Sequence, residues 1–197
     1  LGLPAAAKGN PEGWLFPSTY EFGPKATATE QLATLVDQAI KVMTAEKIPE
    51  SKWEETMIMA SIIESEAGSS ADRRKVSRVF YNRLENPSAE TVGMLQSDAT
   101  VSYGAKRRAV APTAQELADK SNPYNTRQHK GLPPGPISNP GRDSIDAAVK
   151  PAKGPWFFFV TVNPDTGETK FSETYAQFLQ DSQEFAQWCV ENPEAKC

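Results

Sequence analysis

The sequence predicts an α+β fold that is dominated by helices, built around a buried glutamate-bearing helix and completed by a small antiparallel β element. The first observation is the run 57–63, in which Ser61 is the only polar side chain. A helix that is apolar on every side is a buried helix. The second is that apolar residues recur at gaps of three and four in other segments. The third is a strand-like segment that ends in Asn-Pro-Asp-Thr-Gly, which is typical of a hairpin turn.

The helices are predicted from this apolar spacing and from residues that cap helix ends. Ser51 stands three residues before Glu54, which is a capping-box pattern and predicts the start of the buried helix. Thr113 and Glu116 repeat the pattern before a short helix. The predicted helices are residues 29–46, the helix that follows Ser51, and residues 71–84, 113–119, 143–149 and 174–190.

Strand propensity predicts one hairpin near the carboxyl end of the chain. Residues 156–162 form its first strand, residues 163–167 its turn and residues 169–171 its returning strand. Residues 86–98 and 121–141 are predicted as loops, the second of them ordered.

Proline and glycine are frequent in residues 1–24, which we predict to be an irregular segment that packs on a domain of residues 25–197. A short strand is expected at residues 14–16. Trp14 is expected in the core.

The composition excludes several classes of function. A chain of 197 residues suits one domain, and its net charge of −4 gives no electrostatic reason to expect nucleic acid as a partner. One histidine, His129, and two cysteines distant from it do not form a zinc site, so we expect no metal and no cofactor. Cys189 and Cys197 either form a short-loop disulfide or stay reduced. The abrupt start at LGLPAAAKG is consistent with a soluble piece of a longer protein.

Two carboxylates follow the buried run. Glu64 and Glu66 are two residues apart, and because each residue turns a helix by about 100° they point to nearly opposite sides. Loss of water raises the pKa of a carboxyl group, which suits a general acid. We expect the raised pKa at Glu64, since it continues the more apolar stripe, formed by Trp53, Met57 and Ala60. The alternative is a structural ion pair with Arg73 or Arg74.

Six blocks in order carry a resemblance to a known family. They are EGWLFPSTY at 12–20, ASIIESEAG at 60–68, VFYNRL at 79–84, MLQSDATVSYG at 94–104, PYNTRQHKGLPPGPISNPG at 123–141 and FFFVTVNPDTGETKFSETY at 157–175. With these blocks the chain resembles the catalytic domain of the YceG-like endolytic murein transglycosylases, the MltG type.

The resemblance implies a reaction. The family cleaves the β-1,4 bond between N-acetylmuramic acid and N-acetylglucosamine in nascent peptidoglycan strands, and leaves a 1,6-anhydro end. The first glutamate of the ASIIESEAG block, Glu64, is implied to be the catalytic acid. One acid suffices because the muramyl C6 hydroxyl replaces the water or nucleophile for which ordinary glycosidases need a second carboxylate.

Polar side chains in two of the blocks are expected to bind the sugars. The candidates are Gln96, Asp98, Thr100 and Tyr103 in one block, Tyr124, Asn125 and Thr126 in the other, and Glu12 near the start of the chain. The alternatives are that Asn125 and Thr126 only bond the loop backbone, and that Glu12 is a turn residue.

The resemblance also implies partners and a location. The expected partner is the peptidoglycan strand, with a peptidoglycan synthase as a further candidate. The full-length protein is expected on the extracytoplasmic face of the bacterial cell membrane, held by an anchor that this chain lacks, as it lacks a LysM-like module. Two other hypotheses stay open: a non-catalytic glycan-binding or divisome scaffold, and a hydrolytic muramidase with Asp98 as its second carboxylate.

Overall fold

The computed structural model describes residues 1–107 and 111–195, and within them it has seven helices and one two-stranded sheet. This confirms the predicted α+β class. The helices are α1 (Ala28–Ala45), α2 (Trp53–Glu66), α3 (Ser70–Glu85), α4 (Asp98–Gly104), α5 (Ala114–Ala118), α6 (Arg142–Val149) and α7 (Tyr175–Glu191), and the strands are β1 (Phe158–Asn163) and β2 (Glu168–Ser172).

Helix α2 lies at the centre of the molecule. Every residue from Thr56 to Ile63 is buried, as the apolar run predicts. The helix packs against α3 and α6, and α4 contacts it as well. The Ser61 hydroxyl, the one polar side chain of the run, donates to the carbonyl of Ile58 at 2.7 Å and accepts from the backbone N–H of Ile137 at 3.0 Å. The last turn of α2, which carries both glutamates, is thus fixed by the core.

Of the two predicted caps, one is confirmed and one is wrong. Thr113 and Glu116 form a capping box on α5 as predicted, and Thr174, for which no cap was predicted, caps α7 in the same way. Ser51 does not cap α2, because it lies inside a 3-10 turn, Glu50–Lys52, that runs directly into the helix.

Helix α4 was not predicted. It begins at Asp98, inside the block expected to bind substrate, and the Ser97 side chain caps it. Its seven residues are too few to show a helical repeat of apolar positions.

The hairpin forms as predicted, with β1 and β2 antiparallel and Phe159 opposite Phe171. Arg83 of α3 holds it to the domain. The Arg83 Nε donates to the carbonyl of Phe157 at 2.7 Å, and its Nη1 donates to the carbonyl of Leu95. Arg83 therefore joins the hairpin to the turn before α4.

Residues 14–16, which lie within the described part of the chain, form no strand, so this prediction is wrong. The chain turns there instead, since the N–H of Trp14 donates to the carbonyl of Pro11 at 2.9 Å. Trp14 is 1% exposed and packs on Trp53 with 6.0 Å between ring centroids.

Within the described ranges, no helix is both long enough and apolar enough to cross a membrane. Cys197 lies outside the described residues, so the disulfide considered for it stays a prediction.

Shortening a side chain of α2 is expected to be costly. Ile62 is 0% exposed, and Ile62→Ala should lower the free energy of unfolding by about 2–5 kcal/mol, because it removes buried methyl groups and leaves a cavity. Val190, at 75% exposure, is the control, and Val190→Ala should change stability by less than about 0.5 kcal/mol. Urea unfolding of both variants checks this. Equal losses would contradict the central place of α2.

Candidate active site

The last turn of α2 sends its two carboxylates in different directions, as the two-residue spacing predicts. Glu66 faces the start of α4, where the Ser97 hydroxyl donates to its Oε1 at 2.5 Å and the N–H of Ala99 approaches the same oxygen at 3.5 Å. Ser97 also caps α4, with its Oγ 3.4 Å from the backbone nitrogen of Thr100. The same short turn thus begins a helix and holds a carboxyl group.

Burial raises the pKa of Glu66, and this is the largest influence on the group. The bonds from Ser97 and Ala99 and the positive charge of Arg83 lower it, and the charge of Asp98 raises it further. The net direction is upward from the ordinary value of 4.5. Glu66 therefore keeps its proton to a higher pH than a glutamate in water, which is the property of a general acid.

Glu66 lines a cavity of about 360 Å³, which we name the Glu66 cavity. One wall is polar and contains Gln96, Asp98 and Arg127. The other is aromatic and contains Phe158, Tyr175 and Phe178. Of these rings Tyr175 is exposed and Phe158 is buried. An exposed ring beside polar groups is suited to bind a molecule that has both apolar faces and hydroxyl groups.

Gln96 and Asp98 lie in this cavity, as expected for groups that bind substrate. Gln96 has a φ of 54°, and its N–H donates to the carbonyl of Thr126 at 3.0 Å. Asp98 is paired with Arg127, whose Nε lies 2.6 Å from its Oδ1. Both groups of the pair are partly exposed, with 37% of the Arg127 and 43% of the Asp98 side chain in contact with solvent.

Three residues that are expected to bind substrate use their side chains inside the protein. Thr100 and Thr126 are buried, and their hydroxyls lie 2.8 Å apart. The Asn125 amide is 0% exposed and donates to the carbonyls of residues 116, 117 and 119. They hold the loops that carry the cavity, which is the alternative weighed for Asn125 and Thr126 above.

Glu64 is the carboxylate that we expect to be the drier of the two. Its side chain is 30% exposed and its Oε1 lies 3.5 Å from a guanidinium nitrogen of Arg73. The N–H of Gly141 donates to its other oxygen at 3.0 Å. The stripe argument fails because α2 is buried on all sides, so the surroundings of its end decide which carboxylate loses water. Glu64 connects α2 to α3 and to the start of α6.

Glu12, Tyr103 and Tyr124 line a second cavity, of about 1000 Å³, which we name the Glu12 cavity. The Tyr103 hydroxyl approaches Glu12 at 3.5 Å, and the two tyrosine rings are 4.9 Å apart between centroids. Ser65 and Ala99 also line this cavity. The structure thus divides the predicted binding residues between two cavities on either side of the start of α4.

Sequence reasoning missed the aromatic wall of the Glu66 cavity. Tyr175 and Phe178 stand in or beside the last block of the resemblance, but their distance from Glu66 along the chain hides their proximity. The available signal was Tyr175, an aromatic residue directly after a helix N-cap, where it is exposed. It also missed Arg83, which is buried and whose pKa burial lowers to about 10.

Residues 3–184 match the YceG-like family. The chain belongs to the YceG-like family. A crystal structure of a YceG-like protein from Listeria monocytogenes superposes with a TM-score of 0.72 at 34% identity, over 86% of this chain and 55% of the other.

Curated relatives carry a common name. The chain is 36% identical over 171 residues to an endolytic murein transglycosylase of Bacillus subtilis (strain 168), which covers 83% of this chain and 44% of the relative. It is 30% identical over 161 residues to an endolytic murein transglycosylase of Streptococcus pneumoniae serotype 2 (strain D39 / NCTC 7466), over 76% of this chain and 28% of the relative. This YceG-like chain therefore spans less than half the length of both relatives.

The raised pKa of Glu66 predicts how stability changes with pH. The folded state binds this proton more tightly than the unfolded state, so Glu66 contributes stability below its ordinary pKa of 4.5, and that contribution is lost as the pH rises through the folded value. The stability of the unmodified chain relative to Glu66→Gln should therefore fall as the pH rises above the ordinary value of 4.5. Urea unfolding of both proteins over a series of pH values measures the difference. A difference that stays flat or rises with pH would contradict the burial of this carboxyl group.

Proposed function

We propose that this YceG-like chain is the catalytic part of a lytic murein transglycosylase that cuts within glycan strands. The bond cleaved is the β-1,4 bond between N-acetylmuramic acid and N-acetylglucosamine, and the product is a 1,6-anhydromuramyl end. Membership of the family and the names of the relatives support this proposal. The observation that carries it is the partly buried, hydrogen-bonded carboxyl group of Glu66 in a cavity with Gln96 and the exposed ring of Tyr175.

Glu66, and not Glu64, is proposed as the acid. Glu66 has the raised pKa and lines the cavity, whereas Glu64 lies against Arg73 and the backbone of Gly141. Glu64 is proposed to position the last turn of α2.

The proposed reaction has two proton transfers and uses no water. The protonated carboxyl group of Glu66 gives its proton to the glycosidic oxygen as the bond from that oxygen to the muramyl C1 breaks. The muramyl C6 hydroxyl then bonds to C1, and its proton passes to the Glu66 carboxylate, which restores the acid. The hydroxyl belongs to the same sugar, so the attack is intramolecular and gains from its fixed orientation.

The walls of the Glu66 cavity are proposed to orient the sugars. The Gln96 amide can donate to and accept from hydroxyl and N-acetyl groups. The Tyr175 ring is 51% exposed and packs on Phe178 and Phe158, at 5.8 Å and 5.7 Å between centroids, so its free face can stack on a pyranose ring. Its backbone N–H donates to the Glu90 carboxylate at 2.9 Å, which fixes the start of α7.

The place of action follows from the proposed substrate. Murein lies outside the bacterial cell membrane, so we propose that the full-length protein works on the extracytoplasmic face. Nascent strands are supplied by peptidoglycan synthases, which are the proposed neighbours of this enzyme.

The two glutamates give a matched test of the acid, because Glu66→Gln and Glu64→Gln make the same change in the same helical turn. Uncrosslinked glycan strands are incubated with each protein and the ends are read by mass spectrometry. Glu66→Gln should lower the rate of anhydromuramyl formation at least about 100-fold, since it removes the general acid. Glu64→Gln should keep most of the rate, with thermal unfolding showing that both variants are folded. A folded, inactive Glu64→Gln beside an active Glu66→Gln would reverse the assignment.

The same spectra separate the other two hypotheses. Products heavier by one water would identify a muramidase, for which Asp98 stands in the same cavity as Glu66. Absence of products from the unmodified, folded chain would favour a scaffold.

The aromatic wall predicts an effect on substrate binding. Tyr175→Ala removes the stacking face and keeps the backbone bond to Glu90, so KM should rise about three- to tenfold, which corresponds to about 0.6–1.4 kcal/mol. Leu179 is on the same helix, is 47% exposed and does not line the cavity, so Leu179→Ala is the control and should leave KM unchanged. Steady-state cleavage of soluble strands measures both. An unchanged KM for Tyr175→Ala would remove this ring from the binding site.

A further inference from the structure

The Glu12 cavity is the larger of the two cavities beside the last turn of α2, and the proposed chemistry at Glu66 does not use it. Its volume of about 1000 Å³ exceeds that of the Glu66 cavity, and its walls come from the N-terminal segment, α4 and the loop before α6. A cavity of this size holds a ligand fragment of several residues or rings.

Two residues of the cavity wall lie directly beside Glu66, one of them in sequence and the other in space. Ser65, the neighbour of Glu66 in α2, lines it, and so does Ala99, whose N–H approaches the Glu66 carboxyl at 3.5 Å. A substituent on a sugar bound at Glu66 therefore has a short path into the Glu12 cavity.

Glu12 is held in place by uncharged groups. The Asn139 amide donates to one carboxyl oxygen at 3.2 Å, and the Tyr103 hydroxyl approaches the other at 3.5 Å. Asn139 is itself fixed, since its Oδ1 accepts from the N–H of Leu15 at 3.0 Å. Among residues 1–107 and 111–195 no lysine, arginine or histidine forms an ion pair with Glu12. The Glu12 carboxylate is therefore oriented by hydrogen bonds and remains available to pair with a positively charged group of a ligand.

A positive group stands at the edge of the same cavity. Lys106 is exposed, lines the cavity and has no ion-pair partner among the described residues. Arg107, which also lines it, is already paired with Glu116 at 2.6 Å. The cavity thus offers one carboxylate and one ammonium group, with the Tyr103 and Tyr124 rings also in its wall.

An uncharged sugar can form hydrogen bonds but no ion pair with these two groups, whereas a short peptide that contains a diamino acid and a free carboxylate can form an ion pair with each. Muramic acid in murein carries such a peptide on its lactyl group, whereas N-acetylglucosamine does not. We propose that the Glu12 cavity binds the stem peptide of the muramyl residue held at Glu66, with the side-chain ammonium of the peptide at Glu12 and a peptide carboxylate at Lys106. This inference rests on the proposed function, and it means that the chain recognises glycan strands by the stem peptides that they carry.

The test compares two polymers: uncrosslinked glycan strands with intact stem peptides, and the same strands after an amidase has removed the peptides. The ratio of kcat/KM for the first polymer to that for the second is measured for each protein. The unmodified chain should favour the peptide-bearing strand. Glu12→Gln and Lys106→Met should each lower the ratio about fivefold, the size expected for one partly exposed ion pair.

Matched controls make the same changes of charge outside the cavity. Glu21 and Lys25 are exposed and do not line it, so Glu21→Gln and Lys25→Met should leave the ratio unchanged. Equal ratios for all five proteins would overturn the proposal. So would a loss in the cavity variants that is the same on both polymers, because the cavity would then hold a sugar.

A binding measurement separates this proposal from the proposed function. N-acetylmuramyl tetrapeptide is titrated into Glu66→Gln protein, and the ring signals of Tyr103 and Tyr124 are followed by NMR. Shifts that weaken when Glu12→Gln is added support the peptide site even if no polymer is cleaved. Shifts absent at millimolar peptide overturn it, whether or not the unmodified chain forms anhydromuramyl ends.

Discussion

Helix α2 has no side open to solvent along its apolar run, and the rest of the molecule is arranged around that constraint. Because the core fixes the helix, the positions of the two carboxylates in its last turn are fixed as well. The elements that pack around this turn therefore determine the surroundings of each carboxylate. One of them meets a guanidinium group and a backbone N–H, and the other meets a serine hydroxyl at the start of α4. The same rigid helix thus produces a structural ion pair on one side and a desolvated acid on the other. Burial of a carboxyl group costs stability, and proteins tolerate this cost mainly where the altered pKa serves chemistry.

Much of the fold follows from local sequence signals. The buried run predicts α2, the capping box at Thr113 matches the observed start of α5, and the hairpin lies where strand propensity and a turn motif place it. The errors have physical causes. Ser51 is absorbed into a 3-10 turn, and α4 is too short for its apolar residues to repeat at helical spacing. In both cases the conformation of the segment depends on the elements that it packs against, and local propensity cannot predict such tertiary contacts.

The candidate site was less predictable than the fold because its geometry depends on distant partners. Ser97 is 31 residues from Glu66 and Gly141 is 77 residues from Glu64, so the surroundings that distinguish the two acids are not visible in the block that contains them. Residue type alone also could not separate an amide that lines the cavity from one that holds a loop. Gln96 lines the Glu66 cavity, while the Asn125 side-chain amide donates to three backbone carbonyls. The aromatic wall forms only because α7 packs beside the hairpin, and this tertiary contact is not visible in the local sequence.

Arg83 has a consequence for how this protein can change over evolution. Its guanidinium group bonds to main-chain carbonyls at residues 95 and 157, so a substitution at either position does not remove the acceptor. Arg83 itself cannot be replaced in this way, because a lysine offers a single nitrogen and cannot reach two carbonyls in the forked geometry of a guanidinium group. One side chain therefore secures both the segment leading to Gln96 and the strand that presents Phe158. A lineage that lost it would lose the polar and the aromatic walls of the Glu66 cavity together.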